Sequence, residues 1–225
     1  EPHSESKFAS AGGSGAWSFP IISDPATEIF GLLLGRNATL VEYRMAPLSF
    51  EFMWNQTFPV VGPLFADFGF NIGAQMNLAF GYDTLGISHW RDSNFQDHWA
   101  LFDGLYIDDL DANGVDIAEI IFNAGIHAGA SIAGIAGINA ALNLDLLLNL
   151  NDPDGDGRVR YYELYDNFNK SPLDIFDYSA TVGAKAYAYL NYFVGRKEWT
   201  LWESNDFNIF ESSTEKTPTL VSTSG

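Results

Sequence analysis

Residues 151 to 164, NDPDGDGRVRYYEL, hold the densest set of hard oxygen donors in the chain. A twelve-residue loop that wraps a calcium ion needs side-chain oxygens at positions 1, 3 and 5, glycine at 6 for a sharp turn, a main-chain carbonyl at 7 and a bidentate glutamate at 12. Asp152, Asp154, Asp156, Gly157, Arg158 (through its carbonyl) and Glu163 meet those requirements, and Val159 is the usual apolar residue at position 8. Carboxylates are hard donors, and a wrap of about seven oxygens favours Ca²⁺ over the smaller, octahedral Mg²⁺. Arg160 at position 9 is atypical and is expected to lower affinity. A solvated acidic turn is the competing reading.

A weaker echo lies upstream in DLDANGVDIAE, residues 109 to 119. Asp109, Asp111, Asn113 and Gly114 reproduce positions 1, 3, 5 and 6, but Glu119 comes one residue early; Asp108 and Asp116 are placed to assist. A shortened calcium loop and an ordinary Asp/Asn/Gly turn both fit this stretch. The flanks of the main loop set it apart from a signalling unit. An alternating, strand-like run precedes it, and YYELYDNFN follows with Leu164, Tyr165 and Phe168 on one helical side. Strand, loop, helix lacks the paired helices that open on binding, so the ion is expected to brace rather than to switch.

The elements that must hold these residues are mostly extended. In FNIGAQMNLAFGY, residues 70 to 82, in AGINAALNLDLLLNL, residues 136 to 150, and in ATVGAKAYAYLNYFVG, residues 180 to 195, the even positions are apolar, and Asn, Gly or other polar residues recur between them. Period two marks strands with one apolar face, here longer than the ordinary ~5–6 residues. Residues 38–58, 100–108, 115–123 and 198–210 are further extended candidates. AGIHAGASIAGIAGINAAL, residues 124 to 142, spaces small residues as packed membrane helices do, but it is weakly hydrophobic and runs into an alternating strand; a Gly/Ala-lined strand or hairpin open to close approach by another layer is expected. Helices are few. SDPATEIFGLLLGR predicts one, with Ser23 or Asp24 as cap, Pro25 in the first turn and Gly35 at the end. Tyr161 to about Asn169 predicts another. HWRDSNFQDHW reads as a surface loop with aromatic anchors. The expected class is mainly β: long, mostly antiparallel strands in a sandwich or curved sheet, with these two short helices. Residues 1–16 and 211–225 read as linkers or tails flanking one calcium-binding domain over 17–210.

Charge narrows the function. Eleven Lys and Arg against 29 Asp and Glu leave a formal net charge of −18, which repels phosphate backbones, so nucleic acid is excluded as a partner. The absence of cysteine rules out disulfides and thiolate metal sites. No G-x-S-x-G, P-loop, dinucleotide or H-E-x-x-H signature occurs, and His3, His89, His98 and His127 have no ligand spacing.

FGFNIGAQMNLAFGYDTLGI, LFDGLYIDDLDANGVDIAEI and the small-residue run ending in LNLNDPDGDGRVRYYEL together resemble a β-rich segment that recurs in very large secreted, calcium-dependent, adhesin-like bacterial surface proteins. The resemblance covers most of residues 18 to 200. It implies a structural or adhesive, non-enzymatic role, an extracellular or cell-surface setting, and neighbouring domains or other subunits as partners. The loop itself is similar to those of dockerins and EF-hands, in a single clear copy. Two further readings remain: a calcium-dependent carbohydrate-binding module, since six tryptophans and ten tyrosines could form a glycan-binding face, and a membrane-associated β structure, since an apolar face alternating with Asn and Gly also describes a barrel strand.

Overall fold

A computed structural model describes residues 3–10 by their backbone, and residues 15–111 and 114–212 in full. In chain order it contains β1 (His3–Ser10), β2 (Ala16–Ser18), α1 (Pro20–Ser23), α2 (Pro25–Leu33), β3 (Thr39–Arg44), β4 (Leu48–Val61), β5 (Leu64–Met76), β6 (Ala79–Asp83), α3 (Leu85–Asp92), β7 (Leu105–Asp108), β8 (Ile120–Ile132), β9 (Ala136–Leu150), β10 (Arg158–Arg160), α4 (Tyr161–Lys170), β11 (Phe176–Tyr192), β12 (Gly195–Glu203) and β13 (Phe207–Glu211). Short 3₁₀ turns at His98–Gly104 and Pro172–Ile175 lead into β7 and β11. The expected mainly β class is what forms. A large antiparallel sheet has the order β1-β4-β5-β8-β9-β11-β12, with β13 sharing the β11 edge, and a small antiparallel sheet has the order β10-β7-β6-β3-β2.

The large sheet segregates its faces by residue parity. Direct partners run Trp54, Phe70, Ile126, Leu142 and Ala184 across five strands on one face, and Asn71, Gly125, Asn143 and Gly183 across four strands on the other. Even positions of β4 (48–58), β5, β8, β9 and β11 carry no charged residue. Many of these apolar side chains are open to solvent: Ile72, Ile126, Ile138 and Leu142 are each about half exposed. The odd face is the better covered one, with Ser131, Asn139, Ser179 and Tyr189 buried.

The small residues of 124–142 act within one sheet. The segment is the β8–β9 hairpin, closed by the three residues 133–135, in which Ile135 N–H donates to Ile132 O and the central Ala133 (φ 52°) and Gly134 (φ 68°) are both left-handed, as a primed turn requires. A Cβ at Gly129 would overlap the Asn139 amide and the Ile138 carbonyl, and one at Gly125 would meet the Asn71 and Asn143 amides. The glycines therefore make room for asparagines of neighbouring strands rather than for a second layer.

Five other expectations are corrected. Residues 70–82 are not one strand: β5 ends at Met76, and the chain crosses at Asn77 and Leu78 into β6 of the other sheet. The main chain is anchored there by Asn77 N–H to Glu119 O and Met45 N–H to Leu78 O. Alternation continues unbroken through this step, so periodicity cannot reveal it. Residues 115–119 belong to a crossing rather than to β8, and residues 98–104 are a 3₁₀ turn. HWRDSNFQDHW begins inside α3, which Asp83 starts by accepting the Leu85 N–H at 3.0 Å. Residues 3–10, in the segment read as a tail, pair with β4 from His3–Asn55 to Ser10–Leu48; residues 213–225 lie outside the described residues. The helical expectations hold at α2, where Asp24 Oδ1 accepts the Thr27 N–H at 3.4 Å, and at α4.

Among the described residues the chain passes between the two sheets at 45–47, 77–78, 109–119, 151–157 and, through α4, 161–175. The crossings at 109–119 and 151–157 are the acidic segments singled out in the sequence.

Candidate metal centre

The main loop is shaped by its own aspartates. Asp152 accepts the Gly155 N–H through Oδ1 (3.0 Å) and the Gly157 N–H through Oδ2 (2.7 Å), Asp154 accepts the Asp156 N–H (3.0 Å), and Asp156 accepts the Arg158 N–H (2.8 Å). Gly157 has φ 80°, and a Cβ there would strike the Leu110 side chain, so the pattern's glycine is required twice over. Carboxylate oxygens of Asp152, Asp154 and Asp156 lie within 4.8 Å of one another. Two ligands on opposite sides of a calcium ion at about 2.4 Å would be about 4.8 Å apart, so the three fit one coordination sphere.

Glu163, the twelfth position of the pattern, lies on α4 and is not among the acids whose oxygens converge there. It is buried, and its Oε2 accepts the Arg160 N–H at 2.8 Å, which caps the helix. Burial pushes its carboxyl up to about 7, with the charges of Asp154, Asp152 and Asp156 adding to the rise. Burial likewise raises Asp154. Arg158, expected for its carbonyl, has a side-chain role that the loop pattern does not contain: it donates to Asp83 Oδ2 (2.7 Å) and Thr39 Oγ1 (2.9 Å) and lies 4.5 Å over the Tyr106 ring.

Arg160, atypical for the pattern, proves to be an anchor. It is 1 % exposed and donates to both oxygens of Asp83, at 3.4 and 3.0 Å, and to the Asp103 carbonyl at 3.1 Å. Its Nη2 also lies 3.4 Å from Asp156 Oδ2. Asp83 is fully buried and receives both arginines. With Val159 buried between them and β10 paired to β7, the downstream arm of the loop is tied into the small sheet, while its upstream arm is β9 of the large one. The residues missed from sequence are therefore Asp83, Thr39, Tyr106 and Arg160. The usable signal was R-V-R, which in a strand puts both guanidinium groups on one face.

The upstream echo is rearranged. Asp109 and Glu119 are brought together, 3 % and 2 % exposed, and their carboxyl groups interact directly. Asp111 instead shapes the turn, accepting the Val115 N–H at 2.9 Å, and Asn113 lies outside the described residues. Asp108 is engaged by Arg44. Asp116 joins Asp109, fixed by the Asn149 Nδ2 donor at 2.8 Å, and Asp152 of the main loop also acts on Asp109. Burial first, then these neighbouring negative charges, hold Asp109 and Glu119 far above the ordinary carboxylate range. The stretch is thus not a shortened copy of the main loop; its two ends form a buried carboxyl pair beside it.

No protein-family model, curated protein or solved structure matches this chain.

Two outcomes are expected. Asp83→Ala, which leaves Arg160 buried without its carboxylate, should lower stability by about 3–5 kcal/mol in urea titrations, and Asp83→Asn by less. In chelator, the raised Glu163, Asp109 and Glu119 carboxyls favour the fold only while protonated. The stability these three groups contribute without metal should therefore be fully present at and below about pH 4, the ordinary carboxyl range, and be lost as pH rises through about 7 for Asp109 and Glu163 and about 9 for Glu119. A melting series that climbed from pH 5 to 8 in chelator would contradict this assignment.

Proposed function

We propose that this chain is a non-catalytic, calcium-braced structural module of an extracellular or cell-surface protein, in which the cation holds the crossing between two β-sheets. The reading is carried by one observation: three loop carboxylates converge within one coordination sphere at the β9–β10 crossing, beside a buried glutamate from α4. Arms anchored in different sheets make the loop a place where a bound cation gives rigidity, because ordering the loop also orders the sheets relative to each other. The ligands are hard oxygens, as calcium requires. A medium rich in that ion suits a chain of net charge −18, which sheds self-repulsion as ions bind. The sequence resemblance to calcium-dependent adhesin-like segments points the same way, with adhesion or attachment to neighbouring domains as the role.

A second reading, a β structure lying against lipid, is favoured by one specific observation. The even face of five adjacent strands is uncharged and substantially exposed, while the polar odd face is the better covered one. Strands of 13 to 17 residues in β4, β5, β8, β9 and β11 exceed the ~9–11 needed to span a bilayer. No helix among the described residues is long and apolar enough to cross a membrane, which leaves strands as the lipid-facing elements in this reading.

Calcium at a hundredfold excess over its Kd should stabilise the chelated protein by about 2.7 kcal/mol, roughly 5–10 °C in melting temperature. Asp154→Ala should abolish the part of the shift due to the loop. An equal shift with Asp154→Ala in place would refute the loop as the brace. For the second reading, the purified chain should remain in solution without detergent and fail to float with phosphatidylcholine vesicles if the structural reading is right; flotation would transfer the case to lipid.

A further inference from the structure

Among the described residues no helix packs broadly against the even face of the large sheet. Phe68, Ile72, Phe122, Ile126 and Leu142 of β5, β8 and β9 are between 41 % and 50 % exposed there. Exposure continues to the edge, where Trp199 and Trp202 of β12 pair with Ala188 and Ala186 and so stand on the same face. Five strands ~4.8 Å apart, each with about twelve residues rising ~3.3 Å, give a surface of roughly 1,000 Å². The largest apolar patch on a monomer is ordinarily ~300–600 Å², whereas each partner in a stable complex contributes about 800 Å². The face also has relief. Phe68, Ala128, Ala140, Ala186 and Trp202 are direct partners in one cross-strand row, with bulk at its ends and three alanines between. Beside it, Phe70, Ile72, Ile126, Leu142, Leu144 and Val182 surround a hollow of about 420 Å³ over Ala124.

We propose that two copies of this chain pack their large sheets face to face through these even faces, so that a β-sandwich is completed between chains. Charge favours that surface. A chain of net charge −18 repels its own copies, but the even positions of these five strands carry no charged residue, so two such faces meet without setting like charges against each other. The same patch on both copies is what a twofold axis requires. Aligned sheets lie ~10 Å apart with their side chains interdigitating. The alanine row and the hollow over Ala124 are where bulky side chains of the facing copy seat. Area, neutrality and relief thus agree on a protein surface of this same kind. The second reading above gives this face to a bilayer, which also accepts an uncharged surface; lipid tails adapt to any contour and do not call for relief. The calcium brace concerns the crossings between sheets, so the pairing stands whether or not the loop holds an ion.

Sedimentation equilibrium of the full chain, without detergent, tests the pairing. Twice the chain mass is expected at roughly 100 µM, where an interface of standard size is populated. Ile126→Glu and Leu142→Glu place charge at half-exposed positions in the middle of the face, and each should weaken the pair by about tenfold or more. Far-UV circular dichroism and melting check that both variants fold. Leu173→Glu, at an exposed position outside the sheet, should leave the mass unchanged, and so should Asp154→Ala. A milder variant guards against misfolding. The chain has no cysteine, so Ile126→Cys supplies a single thiol, which should react with a maleimide about tenfold more slowly at roughly 100 µM than at roughly 1 µM, where the pair dissociates. A single-chain mass at the higher concentration, a mass above two chains, a pair indifferent to both glutamates, or a thiol equally reactive at both concentrations would each overturn the proposal. A single-chain mass together with flotation on phosphatidylcholine vesicles that Ile126→Glu abolishes would overturn it in favour of lipid.

Discussion

Like charges gathered at a crossing are the constraint on which this architecture turns. The two sheets are joined by short passages of chain, and two of those passages carry the aspartates and glutamates that repel one another most closely. Arg158 and Arg160 both engage Asp83, Arg160 also reaches Asp156 of the loop, and Arg44 engages Asp108 and the Leu110 carbonyl at the head of the 109–119 crossing. A fold that concentrates negative charge where its halves meet is poised to respond to cations there, because the same repulsion that loosens the joint without them becomes attraction to a shared positive centre with them.

The arginine pair shows how that joint is kept from coming apart at rest. Arg160 is a fully buried cation, which is tolerable only because Asp83 and the Asp103 carbonyl meet its donors. Asp83 in turn starts α3 and ends β6, so the acid that receives the loop's arginines also orders the elements around it. The loop's downstream arm is thus preorganised, and its aspartates are held in turn geometry by main-chain N–H groups. Less ordering remains to be done when a ligand arrives, which favours affinity despite the unusual residue at position 9.

What was legible in the sequence follows from distance along the chain. The convergence of Asp152, Asp154 and Asp156 could be read because the three lie within five residues and their spacing shapes the turn. Long strands such as β9 could be read because parity persists for fifteen residues, and α2 because Asp24, Pro25 and Gly35 punctuate it. The partnership of Asp83 with Arg160 spans 77 positions, and that of Asp116 with Asn149 spans 33, so no local pattern announces either. Alternation masked the break at Asn77, because a strand that changes sheets can keep its parity. α3 escaped because Thr84 provides no side-chain cap and no proline marks its first turn, as Pro25 does in α2. The 109–119 echo misled in a specific way: its first and last acids do meet, but through the fold of the crossing rather than around a copied loop.

The interlocking of asparagines with glycines in the large sheet has a consequence for alignment. A two-residue slip of β8 along β9 is the smallest that keeps polar residues on one face. It would oppose Asn143 to His127 or Asn123 instead of Gly125, and would leave a glycine facing Ala141. Teeth would meet teeth and notches would stand empty. The hairpin thus has a keyed fit that admits one setting, so its thirteen paired positions need no charged residue on the outer face to hold them in step.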